Sequence, residues 1–108
     1  MIKRNLYGVA AGALIMTTSP VFAEGGDPAA GRQAAETCFG CHAIEGYYNV
    51  YPSFHVPRIG GQPAAYIAAA LKEYRDGGRK HATMHANAAN LTDEMIANIA
   101  AFVATQGK

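Results

Sequence analysis

Residues 38–42 read Cys-Phe-Gly-Cys-His, and this short motif narrows the choice of folds more than any other part of the 108-residue chain. Its two cysteines are the only ones present, so a scaffold of several disulfides is excluded. Cys-x-x-Cys-His is the attachment signature of c-type haem. At this spacing two thiols at the end of a helix can each add to one vinyl group, while the imidazole binds the iron. The motif therefore predicts one covalent haem c on Cys38 and Cys41, with His42 as an iron ligand.

Three other uses of paired cysteines fit this chain less well. A thioredoxin-like redox pair needs a βαβ context, and no strand pattern is visible here. A structural zinc site needs four protein ligands, usually from two such clusters, and only one cluster exists. A plain disulfide between the two cysteines is permitted in an oxidising compartment. Covalent haem remains the favoured interpretation.

Residues 1–23 have the pattern of a secretory signal. Two basic residues near the start precede a short apolar stretch over 6–16, and small residues occupy the positions around 21–23 that a signal peptidase needs. A retained membrane anchor is the alternative, but a spanning helix needs about 20 apolar residues. Polar residues end this apolar stretch before it reaches that length. We therefore predict cleavage after Ala23, which leaves residues 24–108 as one domain.

The 85 residues that follow the signal are few for a self-sufficient core, and such small domains often recruit a cofactor. Loss of the two basic residues in the signal lowers the Lys and Arg count from 9 to 7, against 8 acidic residues. The resulting formal charge of −1 does not fit a nucleic-acid-binding protein. With half of all residues hydrophobic, the composition does not fit a disordered acidic tail either.

Three main helices are predicted. The first runs from 29 to 37 after the N-capping pair Asp27-Pro28, and it leads directly into Cys38. The second runs from 64 to about 76 and stops at Gly77-Gly78. The third begins after Thr92 and ends at Gly107.

Periodic apolar residues mark the face that each of the last two helices should bury. These residues are Ile67, Ala70, Leu71 and Tyr74 in one helix, and Ile96, Ile99, Ala100 and Val103 in the other. The stretches 43–62 and 79–90 are expected to be loops, and no segment has the pattern of a strand. The predicted fold class is a small all-α domain with long loops around one haem.

The second axial ligand decides whether the iron shuttles electrons or binds a small molecule. In the stretch 79–90, His81, Met84 and His85 all carry side chains able to reach iron. A Met thioether opposite a His would close the site and raise its reduction potential, as an electron carrier requires. Spacing alone favours Met84 but leaves the two histidines open.

Four further residues have competing roles. Met95 falls within the last helix, where we expect it to fill the core. His55 is expected to be an ordinary loop residue rather than a ligand. Arg58 and Arg79 are candidate partners of the haem propionates, because carboxylates favour bidentate cationic partners.

The whole arrangement, a haem motif between helices and a methionine loop before a last amphipathic helix, resembles class I cytochrome c. Segments 57–84 (PRIGGQPAAYIAAALKEYRDGGRKHATM) and 91–106 (LTDEMIANIAAFVATQ) are similar to the haem modules of bacterial two-haem cytochromes and of their single-haem relatives. The resemblance covers roughly residues 27–106. Because only one haem motif is present, it implies a single-haem protein.

The resemblance also implies roles for individual residues. Met84 would be the distal iron ligand. The Pro57 carbonyl would accept the Nδ1 proton of His42, which fixes the ring and raises its basicity. Gly31 would lie where the first and last helices cross closely, with Phe102 as the facing aromatic residue.

The function implied is electron transfer in the periplasm, with periplasmic or inner-membrane redox proteins as partners and with no nucleic acid or small-molecule substrate. The resemblance assigns no oligomeric state. An alternative is a cytochrome subunit bound tightly to a periplasmic oxidoreductase, for example a sulfur-compound dehydrogenase. A third hypothesis applies if Met84 leaves the iron open, in which case a peroxide or a diatomic gas could bind there.

Overall fold

A computed structural model of the protein describes residues 8, 12–15, 25–50 and 53–107, and this part of the chain forms five helices and one two-stranded hairpin. The elements in chain order are α1 (Pro28–Ala34), α2 (Glu36–His42), β1 (Tyr48–Val50), β2 (Ser53–His55), α3 (Ala64–Asp76), α4 (Ala82–Ala88) and α5 (Asp93–Thr105). The mostly helical class is therefore as predicted.

The predicted signal lies largely outside the described residues, and so does its cleavage point after Ala23. Residues 8 and 12–15, which are described, are exposed and belong to no helix or strand. Among the described residues, no helix combines the length and the hydropathy that crossing a membrane requires.

The predicted helix boundaries hold where local capping sets them. The Asp27 carboxylate accepts a hydrogen bond from the Ala29 N–H at 2.9 Å and begins α1. Helix α3 begins directly after Pro63 and ends at Gly77, whose φ of 88° is left-handed. Glycine takes up this conformation without the steric cost of a Cβ, so it ends the helix as expected.

The first predicted helix is two helices in the structure. Ala35 separates α1 from α2, and the Cys38 N–H donates to the Ala35 carbonyl at 2.9 Å in a tight three-residue step. Propensity alone could not predict this break, because alanine favours a continuous helix. The side chain of Ala35 is fully buried, so tertiary packing fixes the step.

The expectation that stretch 43–62 contains no strand was wrong. Strands β1 and β2 pair antiparallel within it, with Tyr48 opposite His55 and Asn49 opposite Phe54. Strands of three residues are too short to show a clear alternation in sequence. Asn49 and Phe54 are half-buried, whereas Tyr48 is exposed.

The expectation of a loop over 79–90 was also wrong, since this stretch contains α4. The Nδ1 atom of His81 accepts a hydrogen bond from the Met84 N–H at 3.3 Å, and the His81 carbonyl accepts from the His85 N–H at 2.8 Å. His81 therefore caps the helix. Histidine is not among the residues that commonly mark a helix start, and α4 has no apolar stripe, so its sequence lacks the usual signals.

The core lies between α1, α3 and α5. Its buried cluster consists of Ala35, Ile67, Leu71, Ile96, Ile99, Ala100 and Val103. The predicted face of α5 is fully confirmed, and α3 buries two of its four predicted residues while the other two are half-buried. Met95 is 38% exposed, so its expected role as core filler was wrong.

Two glycines let the N-terminal part of the domain lie directly on α5. A Cβ on Gly31 would overlap the carbonyl oxygen of Asn98 and would lie 2.9 Å from the Cβ of Phe102. A Cβ on Gly26 would overlap the backbone of Ala97. The expected close crossing at Gly31, with Phe102 facing it, is confirmed.

A cap and an ion pair hold the start of α5. The Thr92 hydroxyl accepts from the Met95 N–H at 3.1 Å. Arg75 of α3 donates to the Leu91 carbonyl at 3.2 Å and to the Asp93 carboxylate at 2.7 Å. The Arg75 guanidinium also holds the pKa of the Asp93 carboxyl below its usual range.

We expect Thr92→Ala to lower the free energy of unfolding by about 1 kcal/mol, because an N–H of the first turn loses its acceptor. Thr105→Ala is the matched control, since that hydroxyl donates to the Phe102 carbonyl and accepts only from the Gln106 side-chain amide, so it caps no N–H of the first helical turn. It should change stability by about 0.5 kcal/mol or less. Urea unfolding of both variants measures the difference. Equal losses would show that the Thr92 cap has no special role.

Candidate haem-binding site

A cavity of about 260 Å³ opens beside α2 and is enclosed by elements from most of the domain. Cys38, Cys41 and His42 line it from α2. The remaining walls are largely apolar, and they include Phe54, Val56, Ile59, Ile67, Ala70, Leu71, Met84 and Ile99. The cavity therefore joins the predicted haem motif to an apolar space.

The two cysteines lie one helical turn apart on α2, at the spacing that places side chains on the same face of a helix. Cys38 is half-buried and Cys41 is exposed, and no disulfide joins them. Burial raises the pKa of the Cys38 thiol. Helix α2 is itself held against α5 by the edge-to-face contact of Phe39 with Phe102, whose ring centroids are 5.6 Å apart.

A backbone carbonyl fixes the orientation of the His42 ring. The Nδ1 atom of His42 lies 2.6 Å from the Pro57 carbonyl oxygen, and because a carbonyl only accepts, Nδ1 must donate. The neutral ring then carries no proton on Nε2, which is the form of histidine that binds metals. A hydrogen bond from the other ring nitrogen also raises the basicity of such a ligand.

Met84 lines the same cavity as His42, from the N-terminal turn of α4. Its side chain is half-buried and packs against the core cluster. Met95 does not line the cavity. Of the two methionines in the described part of the domain, the structure thus brings only Met84 together with the haem motif.

The three remaining histidines have distinct environments. His81 lines the cavity and caps α4, as described above. His85 lies outside the cavity lining, and its Nδ1 donates to the Tyr74 carbonyl at 2.8 Å. His55 lines the cavity from β2, and its ring centroid lies 5.0 Å from that of Tyr48.

The two candidate arginines are placed differently. Arg79 lines the cavity, and its side chain is hydrogen-bonded to that of Tyr66. Its guanidinium carbon lies 4.7 Å from the centroid of the Tyr74 ring. The Tyr66 contact raises the pKa of Arg79. Arg58 instead lines a neighbouring open groove, which shares His42 with the cavity, and lies 3.8 Å from the Glu45 carboxylate.

Sequence reasoning missed several residues of the cavity wall. Tyr66 immediately precedes Ile67, the first residue of the predicted apolar face of α3. It lines the cavity, where its side chain is hydrogen-bonded to Arg79. Asn87 lies one turn after Met84, so a predicted α4 would have identified it. Asn49 comes from the unpredicted hairpin, and no sequence signal marks it.

The donor set of this cavity fits a covalent haem. Two thiols that form no disulfide lie on one helix turn, an imidazole presents an unprotonated Nε2, and a thioether lies in the same apolar enclosure. In the described part of the chain, no three His, Cys, Asp or Glu side chains come together as a conventional metal site.

Comparisons with known proteins agree with this chemistry. The family model for cytochrome c matches residues 28–107. Cytochrome c-554(548) of Halomonas halodenitrificans is 42% identical over 84 residues, which span 75% of this chain and 98% of that protein. A crystal structure of cytochrome c4 from Pseudomonas stutzeri has a TM-score of 0.55 and 29% identity, covering 77% of this chain and 51% of that one.

The chain is also similar to a protein named as an electron acceptor. The thiosulfate dehydrogenase electron acceptor of Thiomonas intermedia is 32% identical over 74 residues, which cover 68% of this chain but only 33% of that protein. This chain thus spans about a third of that relative and nearly the whole of cytochrome c-554(548). The chain belongs to the cytochrome c family: it is a class I cytochrome c that binds haem c covalently through Cys38 and Cys41 and acts as an electron carrier, not as an enzyme.

Proposed function

We propose that the protein is a periplasmic single-haem cytochrome that passes electrons between redox partners, with His42 and Met84 as its axial ligands. The observation that carries this proposal is the shared cavity. His42 is held there through Nδ1 by the Pro57 carbonyl at 2.6 Å, and Met84 lines the same space. When bound, the haem supplies a ferrous–ferric couple, whose potential a His/Met ligand pair raises.

The residues of the chain each have a simple task in this function. The thiols of Cys38 and Cys41 anchor the group to α2, which packs on α5 through Phe39. The Pro57 carbonyl holds the His42 ring in one orientation. The apolar walls exclude water, and this exclusion favours a stable, closed site.

Periplasmic location is supported by the signal-like pattern of residues 1–23, with cleavage after Ala23. The partners we propose are periplasmic or inner-membrane redox proteins. A formal charge of −1 after cleavage gives weak long-range steering, so a brief contact of small area fits the chain. Nucleic acid and small-molecule substrates are not part of the proposed function.

The Met84 assignment predicts a clear spectral change. The haem-loaded parent should show a low-spin spectrum with the weak red Met-to-ferric band, and Met84→Ala should lose that band and bind carbon monoxide when reduced. Met95→Ala is the matched control, because Met95 is partly exposed and lies outside the cavity. It should keep the band. A parent protein that is high-spin, or that binds carbon monoxide at once, would instead indicate a gas-binding or catalytic haem.

A second candidate function is that of a cytochrome subunit bound tightly to a periplasmic oxidoreductase such as a sulfur-compound dehydrogenase. Similarity to the thiosulfate dehydrogenase electron acceptor of Thiomonas intermedia favours it. Purification of the tagged protein from its native periplasm distinguishes the two. A stoichiometric dehydrogenase that stays bound in high salt supports the subunit role, and a monomeric cytochrome supports the free carrier.

A further inference from the structure

The start of α4 is built around His81. Its backbone is extended, with φ −157° and ψ 109°, and its carbonyl accepts the first hydrogen bond of the helix from the His85 N–H. Its Nδ1 accepts from the Met84 N–H at 3.3 Å. Since Nδ1 accepts, the proton of the neutral ring lies on Nε2. His81 therefore binds the backbone of the very residue whose thioether lines the cavity.

The His81 ring is itself held by two neighbouring elements. Its centroid lies 4.6 Å from that of Phe54 in β2, with the planes at 81°. On the other element, α3, the Tyr74 ring centroid lies 6.3 Å away, with the planes at 77°. Edge-to-face contacts of this kind favour one ring orientation. His81 thus connects β2, α3 and the first turn of α4 at the border of the cavity.

The rest of α4 gives Met84 little support of its own. The helix has seven residues, and Ala88 is its one buried residue. Isolated helices of this length are unstable in water, so the position of Met84 depends on the contacts that α4 makes with the rest of the domain. The N-terminal contact is the His81 cap. Without this cap the Met84 N–H would lose its acceptor.

We infer that His81 is a positioning residue for the axial methionine: its ring, wedged between Phe54 and Tyr74, binds the Met84 N–H and so holds the Met84 thioether at the iron. The inference rests on the proposed function, in which Met84 is the ligand. It gives His81 a role other than that of iron ligand, which the sequence left open.

The test compares His81→Ala, His81→Phe and His81→Asn in the haem-loaded protein. Alanine removes both ring and acceptor, phenylalanine keeps an aromatic ring without the acceptor, and asparagine restores a short capping acceptor. The readouts are the Met-to-ferric band, the midpoint potential and the rate of carbon monoxide binding to the reduced protein. We expect the carbon monoxide rate to rise roughly five- to tenfold in the alanine and phenylalanine variants, with a weaker band, and to return near the parent value in His81→Asn.

His85→Ala is the matched control, because His85 lies on the same helix but binds the Tyr74 carbonyl rather than Met84. It should change the carbon monoxide rate less than twofold. An equal rise in His85→Ala would overturn the inference, since it would reflect loose docking of α4 in general. A parent-like phenylalanine variant would also overturn it, because ring packing alone would then suffice.

Met84→Ala separates this inference from the proposed function. If Met84→Ala keeps the Met-to-ferric band, the ligand assignment itself is wrong. If Met84→Ala loses the band while His81→Ala keeps both the band and the parent rate of carbon monoxide binding, the ligand assignment stands and the role of His81 is wrong.

Discussion

A chain in which Cys38 and Cys41 are both replaced by serine is expected to lose its cooperative fold. In the described part of the domain, only three large side chains are fully buried, and all three belong to α5: Ile96, Ile99 and Val103. The apolar cavity of about 260 Å³ beside them would face water without a haem. Exposed apolar surface destabilises a fold by about 25 cal/mol per Å². A domain this small has little other burial to offset that cost.

Far-UV circular dichroism and urea unfolding measure this outcome. The double variant should show reduced helix content and no cooperative transition. The parent sequence expressed without haem-attachment machinery should behave in the same way, which separates the loss of haem from the loss of two thiols. Glu36→Gln, at an exposed position of the same helix, should unfold like the haem-loaded parent. A double variant with parent-like helix content and a sharp transition would show that the core closes without haem.

The features that could be predicted from the sequence are those set by neighbouring residues. Asp27 caps α1, Gly77 ends α3 and Thr92 caps α5. Each of these helix ends is determined by residues only a few positions apart in the sequence. The haem motif is equally local, because one turn of helix brings its cysteines to one face. The buried face of α5 follows from its 3.6-residue period.

The features that could not be predicted depend on distant contacts. Helix α4 starts at His81, whose ring packs against Phe54 and Tyr74. No local sequence pattern predicts such a cap. The hairpin has strands of three residues, too short for a period to appear. The Pro57 carbonyl was expected only through resemblance to a family, and spacing favoured Met84 without excluding His81 or His85. Sequence spacing does not show which distant segments meet around one cavity.

Gly31→Ala is expected to destabilise the protein strongly, although helix propensity alone predicts the opposite. Alanine in a helix interior is favoured over glycine by about 0.5–1 kcal/mol. At Gly31, however, the new methyl group would overlap the Asn98 carbonyl oxygen, a backbone atom that cannot rotate away. Forced overpacking costs 1–3 kcal/mol and occasionally more. Because α1 packs along α5, the overlap can be relieved only by separating two helices, so we expect a net loss of about 3 kcal/mol.

A loss of this size corresponds to a fall in Tm of roughly 12–24 °C for a domain of this length, measured by thermal unfolding of the haem-loaded protein. Gly78→Ala is the matched control, since its Cβ would meet Glu73 at an ordinary 3.8 Å. It should change the free energy of unfolding by about 0.5 kcal/mol or less. Gly26→Ala, which would overlap the Ala97 backbone, should repeat the loss. A Gly31→Ala protein as stable as the parent would mean that α1 and α5 lie farther apart in solution, and the crossing would then not require glycine.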